Sequence, residues 1–260
     1  NLEKNKFSRG VPEWGGELAN DLLSVIEKHG ADRIAAFITE PMAGSTGVLI
    51  PPKGYLEKIR EICTAHDILL IFDELITGFG RLGTSFAAQY FDVIPDMIVC
   101  AKGLTSGTVP MGAVMVKNEI YDTYQGGDSK MIDLFHGYTY SAHPLAAAAL
   151  IATLEVYTEE GLFDQAAEMA SYWEEALHSL KGVDHVIDIR NLGFVGGIEM
   201  SSRNGEVGKR GYDVFENAFH EENVLLRFTG DIIALSPPLI AEKHHVDQIM
   251  DSLRKIIPLH

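Results

Sequence analysis

Short apolar runs alternate with amphipathic segments through the first part of the chain, and this pattern predicts strands joined by helices. Four runs are typical of buried strands, because each is short and mostly apolar. They are Arg33–Thr39, Ile68–Phe72, Met97–Cys100 and Gly112–Val116. Between the first two, apolar residues recur at helical spacing after Gly54, at Leu56, Ile59, Ile62 and Cys63. This arrangement favours βαβ units around a mostly parallel sheet.

The second half of the chain favours helices followed by a smaller mixed unit. Gly126–Ala142 is polar and contains glycine, which predicts a long loop. A helical stretch from Pro144 to Leu180 follows, with a break expected near Gly161. Beyond it we predict strands at Val183–Ile189, Phe194–Met200, Val224–Arg227 and Ile232–Leu235, a helix at Tyr212–Glu221, and a final helix from the stripe Val246, Ile249, Met250, Leu253, Ile256 and Ile257.

These patterns together predict an α/β protein in three parts. Residues 1–142 are expected to form part of a large domain with a mostly parallel sheet, residues 143–181 a helical connector, and residues 182–260 a small C-terminal α+β domain. In sheets of this kind, ligands bind beyond the carboxyl ends of the strands. Polar residues that directly follow those ends are therefore the first candidates for a functional site.

The charge of the chain argues against several classes of partner. With 21 basic and 37 acidic residues, the formal net charge is −16, so the surface repels nucleic-acid phosphates and anionic membranes. The longest apolar run, Leu145–Ala152, is too short to cross a bilayer. An anionic small molecule could still bind, but a local positive group would have to hold it against the overall field.

Cysteine and histidine do not predict a metal site. Cys63 and Cys100 lie in apolar segments without metal-ligand spacing, which favours reduced core cysteines in a cytoplasmic protein. The histidines that might attract notice also lack acidic or cysteine partners at ligand spacing. These are His136, His143, His244 and His245.

Asp73 and Glu74 directly follow the predicted strand Ile68–Phe72. A carboxylate at the end of a buried strand costs several kcal/mol unless it is paired. One interpretation is a structural acid that caps a helix or forms a salt bridge. The other pairs Asp73 with a protonated ring nitrogen of a cofactor, which keeps the ring cationic and able to withdraw electrons. The residues alone leave both interpretations open.

Lys102 follows the next predicted strand, Met97–Cys100, and has Gly103 beside it. A lone lysine here is expected to be a solvated loop residue. Considered with Asp73 it gains a second interpretation, because about one βαβ crossover separates the two residues, which places them at the same edge of the sheet. One side chain can then hold the ring nitrogen of pyridoxal phosphate (PLP) while the other forms an imine with its aldehyde.

Five segments resemble a known family. Residues 71–83 (IFDELITGFGRLG) and 101–105 (AKGLT) resemble the class III, fold-type I, PLP-dependent aminotransferases. Residues 7–13 (FSRGVPE), 40–45 (EPMAGS) and 136–144 (HGYTYSAHP) resemble the ω-amino acid–pyruvate, or β-alanine–pyruvate, subgroup. The resemblance implies a fold-type I enzyme that transfers an amino group from an ω-amino acid or amine to pyruvate, through a lysine imine and a pyridoxamine intermediate.

The resemblance also implies roles for particular residues. Asp73 is expected to bind the pyridinium nitrogen, and Ile76 to pack against one face of the ring. Lys102 is expected to form the imine and to move the proton. Thr139 is expected to donate a hydrogen bond to the cofactor phosphate of the neighbouring subunit in a homodimer or higher homo-oligomer. Its structural alternative is a cap for the helix that begins near Pro144.

Two further residues match family positions. Arg227 matches a mobile arginine that binds the substrate carboxylate, and a guanidinium suits this task because it donates two parallel hydrogen bonds. The alternative is an ion pair with Asp231 or another acid. Glu40 ends the strand Arg33–Thr39 in a motif near the cofactor, where a supporting role behind the site and a structural role in the Glu-Pro turn are both open.

Members of the family carry an earlier segment with a glycine/serine loop that grips the phosphate at a helix N-terminus. The same segment supplies an aromatic residue that stacks on the second face of the ring. No such loop is found in this sequence. We therefore expect the chain to be the C-terminal portion of the enzyme and, by itself, to fold poorly or to fail to retain PLP.

Other functions remain open. An aminomutase or decarboxylase of the same fold keeps the cofactor and changes the reaction, although Arg227 argues against the aminomutase. An inactive fragment without the phosphate-binding segment, or a nucleotide-binding α/β domain, belongs to a different class. The nucleotide version lacks a Gly-x-Gly-x-x-Gly or Walker sequence at a strand–helix turn. The donor is also open among β-alanine, γ-aminobutyrate, longer ω-amino acids and arylalkyl amines.

Overall fold

The computed structural model of the protein describes residues 2–125 and 139–260, and these residues contain two four-stranded sheets. The first sheet consists of β1 (Ala36–Thr39), β2 (Leu69–Asp73), β3 (Met97–Cys100) and β4 (Ala113–Val116), in that order. β1, β2 and β3 are parallel, and β4 pairs with β3 in the antiparallel direction. The prediction of a mostly parallel sheet is confirmed.

The register between β2 and β3 determines which residues share the carboxyl edge of the sheet. Asp73 pairs with Val99, and the Glu74 N–H extends the ladder by donating to the Val99 carbonyl at 2.8 Å. Both strands therefore end at the same level. Lys102 follows β3 closely, so it leaves the sheet beside Asp73, at the shared edge that the crossover argument predicts.

Helices α1 (Asp21–His29) and α2 (Tyr55–Ala65) pack against the first sheet. Their apolar residues and those of β2 form one core, which contains Leu22, Ile26, Leu56, Ile59, Ile62, Cys63, Leu70 and Phe72. A single helical turn, α3 (Ala87–Tyr90), lies in the connection from β2 to β3, and α4 (Asn118–Gln125) follows β4. Because this core covers the first sheet, the ends of its strands are fixed in relation to one another.

Two helices lie in the stretch that is predicted to be helical. α5 (Pro144–Glu159) begins with a proline, and His143 caps it by accepting a hydrogen bond from the Leu145 N–H at 3.2 Å. α6 (Leu162–His178) follows Gly161, whose φ of 61° confirms the predicted break. Most of the loop predicted before α5 lies outside the described residues. Of the helices in the described ranges, none combines the length and apolar character that crossing a membrane requires.

The second sheet is antiparallel, in the order β5-β6-β8-β7. Its strands are β5 (Val186–Leu192), β6 (Val195–Met200), β7 (Arg227–Thr229) and β8 (Ile232–Leu235), and α7 (Lys209–Glu222) and α8 (Lys243–Ile256) pack on it together with α6. Their shared core includes Trp173, Leu177, Ile189, Phe194, Ile198, Val214, Ile233, Val246 and Leu253. This is the predicted α+β unit. The predicted division into residues 1–142, 143–181 and 182–260 stays a prediction, and α6 belongs to the core of the second sheet.

Two predicted strands begin three residues later than the hydrophobic pattern indicates. The first strand starts at Ala36, because residues 31–33 form a 3-10 turn at the end of α1. The fifth starts at Val186, because the Val186 N–H donates to the Val183 carbonyl at 3.1 Å in a turn. In both places a local backbone hydrogen bond replaces the sheet ladder, although the side chains are apolar enough for a strand.

The strand predicted to end at Arg227 instead begins there. Asn223 ends α7 in the left-handed conformation, with a φ of 56°. The Val224 N–H then donates to the Ala218 carbonyl at 2.8 Å, so the chain folds back onto the last turn of the helix. Val224 is therefore part of the helix end. As a result Arg227 lies at the start of β7, at the open end of the hairpin that β7 forms with β8.

A buried arginine joins the second sheet to the loop that follows β1. Arg190 on β5 is only 1% exposed. Its Nη1 donates to Asp188 at 2.8 Å and to Glu199 at 2.6 Å. Its Nε donates to the carbonyls of Gly47 and Val48 at 2.9 and 3.0 Å, and its Nη2 donates to Gly47 at 2.7 Å. Carboxylates and carbonyls thus compensate the burial of the charge and hold the two sheets together.

Asp96 makes similar connections at the amino ends of β2 and β3, opposite the ends that carry Asp73 and Lys102. Its Oδ2 accepts hydrogen bonds from Arg60 at 2.7 Å and from the Leu70 N–H at 2.8 Å, and its Oδ1 accepts one from Lys117 at 2.8 Å. Burial raises the pKa of Asp96, but the hydrogen bonds from Lys117 and Arg60 outweigh it and lower the pKa from 3.8 to about 2. The carboxylate therefore stays charged and ties α2, β2 and the end of β4 together.

Asp96→Asn is expected to destabilise the intact protein by about 2 kcal/mol near neutral pH, because it removes charge-assisted hydrogen bonds. Since the folded-state pKa of about 2 lies below the ordinary 3.8, this contribution is present above the ordinary value and is lost as the pH falls toward 2. Chemical unfolding at several pH values should show the difference between wild type and variant shrinking over that range. Asp251→Asn, at an exposed position of α8, is the matched control. A difference that does not change with pH would contradict the prediction.

Candidate active site

A cavity of about 1080 Å³ is lined by residues that follow both sheets. One wall comes from residues between Leu75 and Arg81, a second from Lys102–Gly103 and Ser106–Thr108, a third from the inner face of α5, and a fourth from Arg227 and residues 236–240 beside β8. Three of the residues singled out from the sequence line this cavity: Ile76, Lys102 and Arg227. The sequence places them far apart, and the fold brings them to one space.

Lys102 lines the cavity from a strained backbone position. Its φ of 50° lies in the left-handed region, which costs a residue other than glycine about 1–2 kcal/mol. It begins a 3-10 turn (Lys102–Thr105), and the Gly107 N–H closes this turn by donating to the Lys102 carbonyl at 3.2 Å. Gly103 is required here, because a Cβ atom would lie 2.7 Å from the Cβ of Phe79. Such strained residues persist where the surrounding structure holds them, and they cluster at functional sites.

Asp73 ends β2 at the same sheet edge and is half-buried. Its Oδ1 accepts a hydrogen bond from the Leu75 N–H at 3.1 Å, which fixes the carboxylate in the turn after the strand. In the described part of the chain, no basic side chain forms an ion pair with Asp73, and the residue does not line the cavity itself. The carboxylate is thus available to a cationic group beside the Lys102 turn, and its ring-nitrogen role stays a prediction.

Glu74 is the structural acid of this pair. It is fully buried, and its carboxylate accepts hydrogen bonds from the N–H groups of Ala87 and Ala88 at 2.5 and 2.9 Å and from the Thr77 hydroxyl at 3.0 Å. Burial raises the pKa of Glu74, although these hydrogen bonds oppose the shift. The helix-capping interpretation that the sequence leaves open therefore describes Glu74.

Ile76 lines the cavity and is supported from behind by the loop after β1. A Cβ atom on Gly44 would lie 2.7 Å from the Cδ1 of Ile76, so this close contact depends on glycine. Glu40 holds the same loop, because its Oε2 accepts a hydrogen bond from the Gly44 N–H at 3.1 Å. Glu40 does not line the cavity. Its contacts support the turn behind Ile76, and a role toward the cofactor stays a prediction.

Arg227 lines the cavity without an acidic partner among the described residues. Asp231, the candidate partner from the sequence, is engaged elsewhere. Its carboxylate accepts hydrogen bonds from the Ser202 hydroxyl at 2.6 Å and from the N–H groups of Gly208 and Gly211 at 2.9 and 3.0 Å. Burial raises the pKa of Asp231, but these hydrogen bonds outweigh it and keep the pKa below its usual range. The guanidinium of Arg227 is therefore available to an anionic ligand.

A further basic residue, to which the sequence analysis assigns no role, also lines the cavity. Arg81 lies within the glycine-containing segment 78–83, and its Nη1 donates to the Pro237 carbonyl. Its own carbonyl accepts a hydrogen bond from the Phe194 N–H at 2.9 Å. Burial lowers the pKa of Arg81 below its usual value. The signal in the sequence is a charged residue between closely spaced glycines, but its contacts with the second sheet are visible only in the fold.

Further residues singled out from the sequence are Thr139, His136 and His143. Thr139 is exposed and does not line it, and His136 lies outside the described residues. His143 is engaged as the cap of α5. Throughout residues 2–125 and 139–260, no group of three or more histidine, cysteine, aspartate or glutamate residues is placed to hold a metal ion.

Comparison with known proteins gives the same family that the motifs indicate. Residues 6–257 match the family model of the class III aminotransferases. An omega-aminotransferase of Caulobacter vibrioides is 56% identical over 256 residues, which covers 98% of this chain and 58% of that protein. The beta-alanine–pyruvate aminotransferase of Pseudomonas aeruginosa is 47% identical over 250 residues, which covers 95% of this chain and 56% of that protein.

Solved structures support the same assignment. An (S)-enantioselective omega-transaminase from Thermomicrobium roseum superposes with a TM-score of 0.86 at 36% identity, over 93% of this chain and 54% of that one. The chain thus spans little more than half the length of the relatives it matches. These neighbours confirm the expected fold-type I architecture for the matched residues of this chain. The chain belongs to the class III aminotransferase family.

Proposed function

We propose that the protein is a PLP-dependent aminotransferase that moves an amino group from an ω-amino acid or amine, such as β-alanine, to pyruvate. One observation carries the proposal: Lys102, Ile76 and Arg227 line the same cavity. A lysine, an apolar surface and a carboxylate-binding arginine are among the parts that this chemistry needs from the protein. The names of the relatives support the substrate class, since one is a beta-alanine–pyruvate aminotransferase and another an omega-aminotransferase.

The residues around the cavity fit PLP. Lys102 offers an amine to the aldehyde, Asp73 offers a carboxylate without a basic partner among the described residues to the ring nitrogen, and Ile76 offers an apolar surface to the ring. When bound, PLP supplies the electron sink that allows an amino group to pass between an amine and a keto acid. Thr139 is proposed to donate a hydrogen bond to the phosphate bound by a neighbouring subunit.

Lys102 has two tasks in this proposal. With PLP bound, its Nζ would hold the cofactor covalently and would carry a proton to and from the reacting carbon of the substrate. Both tasks need the amine to stay near one position. The 3-10 turn and the close contact of Gly103 with Phe79 favour this, because they leave the backbone of Lys102 little freedom.

Arg227 is proposed to bind the carboxylate of the ω-amino acid and of pyruvate. A guanidinium binds a carboxylate with two parallel hydrogen bonds, and each charge-assisted bond is stronger than a neutral one. The chain carries a net charge of −16, so an anionic substrate needs a local positive region. Arg227 and Arg81 together provide one on the walls of the cavity.

The oligomeric state, the cellular compartment and the partners are proposals as well. We propose a homodimer or higher homo-oligomer with the active site at the subunit interface, working in the cytoplasm on small-molecule substrates. The acidic surface argues against nucleic acid as a partner. The position of Thr139 agrees with the interface role, because it is exposed and lies outside the cavity of its own chain.

Lys102→Ala in the intact protein should lower the turnover of β-alanine with pyruvate by roughly a thousandfold or more, because the covalent anchor and the proton carrier are both lost. Borohydride reduction followed by peptide mass spectrometry should find PLP attached to Lys102 in the wild type. Lys58→Ala, which removes an exposed lysine of α2, is the control and should keep full activity. Normal turnover in the Lys102→Ala variant would overturn the assignment.

Arg227→Ala should raise the KM for pyruvate and for β-alanine by about ten- to a hundredfold, the effect of losing one charge-assisted contact. An arylalkyl amine has no carboxylate, so its KM should change little, and steady-state kinetics with the two donors separates the effects. Arg254→Ala removes an exposed arginine that bonds to Ser179 and serves as the control. An equal loss with both donors would show that Arg227 is structural.

A further inference from the structure

The hydroxyl of Tyr157 reaches the backbone directly beside Lys102. Tyr157 lies near the end of α5, and its Oη donates a hydrogen bond to the Gly103 carbonyl at 2.7 Å. This carbonyl belongs to the second residue of the 3-10 turn that Lys102 begins. α5 lies far from Lys102 in sequence, so the contact fixes the turn from outside its own segment. Tyr157 also lines the cavity with Lys102.

Two neighbouring aromatic side chains contact the ring of Tyr157. It stacks on Phe79 with ring centroids 6.2 Å apart and contacts Phe163 with centroids 5.1 Å apart. Phe79 is the residue that packs against Gly103. Two stacked aromatic residues therefore support Gly103: Phe79 packs against it, and the Tyr157 hydroxyl donates a hydrogen bond to its carbonyl.

The environment keeps the Tyr157 hydroxyl protonated, so that it can donate. Burial raises its pKa, while the charge of Arg81 and an interaction with the Ser106 hydroxyl oppose the shift. Arg81 and Ser106 also line the cavity beside Lys102. A phenylalanine could supply the same ring contacts, but it could not donate this hydrogen bond. Ring packing alone therefore does not account for a hydroxyl group at this position.

We propose that Tyr157 is a positioning residue for Lys102, whose hydroxyl holds the Lys102–Gly103 backbone so that the lysine amine stays directed into the cavity. This rests on the proposed function. The strained backbone of Lys102, with a φ of 50°, needs outside support to remain populated. Without the hydrogen bond the turn samples other conformations, and the amine spends less time where it can react with the aldehyde of PLP.

The test compares Tyr157→Phe with Tyr172→Phe in the intact protein. Both variants lose one hydroxyl and one hydrogen bond, but Tyr172 bonds to Asp247 on α8, away from the cavity. Apoprotein is mixed with PLP, and the imine is trapped with borohydride at successive times and measured by mass spectrometry of the Lys102 peptide. Tyr157→Phe should lower the rate and final extent of trapping by about tenfold, the size expected from one lost, partly buried hydrogen bond. Tyr172→Phe should match the wild type.

Hydrogen exchange of the apoprotein gives a readout that does not depend on PLP. The Gly107 N–H donates to the Lys102 carbonyl, so its protection reports the order of the turn. The peptide containing Gly107 should exchange about tenfold faster in Tyr157→Phe, with a melting temperature close to that of Tyr172→Phe, if the hydroxyl orders the turn. The proposal would be overturned if Tyr157→Phe trapped the imine at the wild-type rate. It would also be overturned if trapping were slower in this variant while its Gly107 peptide exchanged at the wild-type rate. If the wild type itself forms no imine at Lys102, the proposed function fails first, which is a distinct result.

Discussion

The parallel pairing of β2 with β3 is the constraint on which the site depends. It brings Asp73 level with Val99, so that the residues following the two strands leave the sheet together. Parallel strands must be joined by a crossover, and this crossover carries Ile76, Phe79 and Arg81 over the edge where Lys102 emerges. A shift of the register by one residue would move every side chain of β2 to the opposite face of the sheet. The cavity wall is thus a consequence of strand register.

The second sheet completes the site from the other side. Arg190 anchors it to the loop after β1, and that loop presses Gly44 against Ile76. Arg81 makes a parallel connection, from the segment after β2 to the Pro237 carbonyl. Each tie uses an arginine that donates to backbone carbonyls, so it fixes main-chain position and not merely side-chain packing. Arg227 is held over the cavity because these ties hold the sheet that carries it.

Much of this could be predicted from the sequence, and the limits have physical reasons. The strands of the first sheet, the break at Gly161 and the α+β unit follow from hydrophobic period and glycine placement. The start of β7 could not be predicted, since the helix cap at Val224 competes with strand formation through one hydrogen bond. Arg81 and Tyr157 were missed because their partners are backbone carbonyls distant in sequence, which leave no local pattern. The roles of Asp73, Thr139 and Glu40 stay predictions.

The hydrogen bonds that hold Asp231 also keep its carboxylate from competing with a ligand for Arg227. A carboxylate tethered a few residues from Arg227 has an effective concentration in the millimolar range or above. Were it mobile, it would compete with an anionic substrate for the Arg227 guanidinium from within the molecule. By locking Asp231 onto the backbone of Gly208 and Gly211, the fold removes this competitor. An acidic protein can therefore keep an arginine for a ligand that arrives from solution.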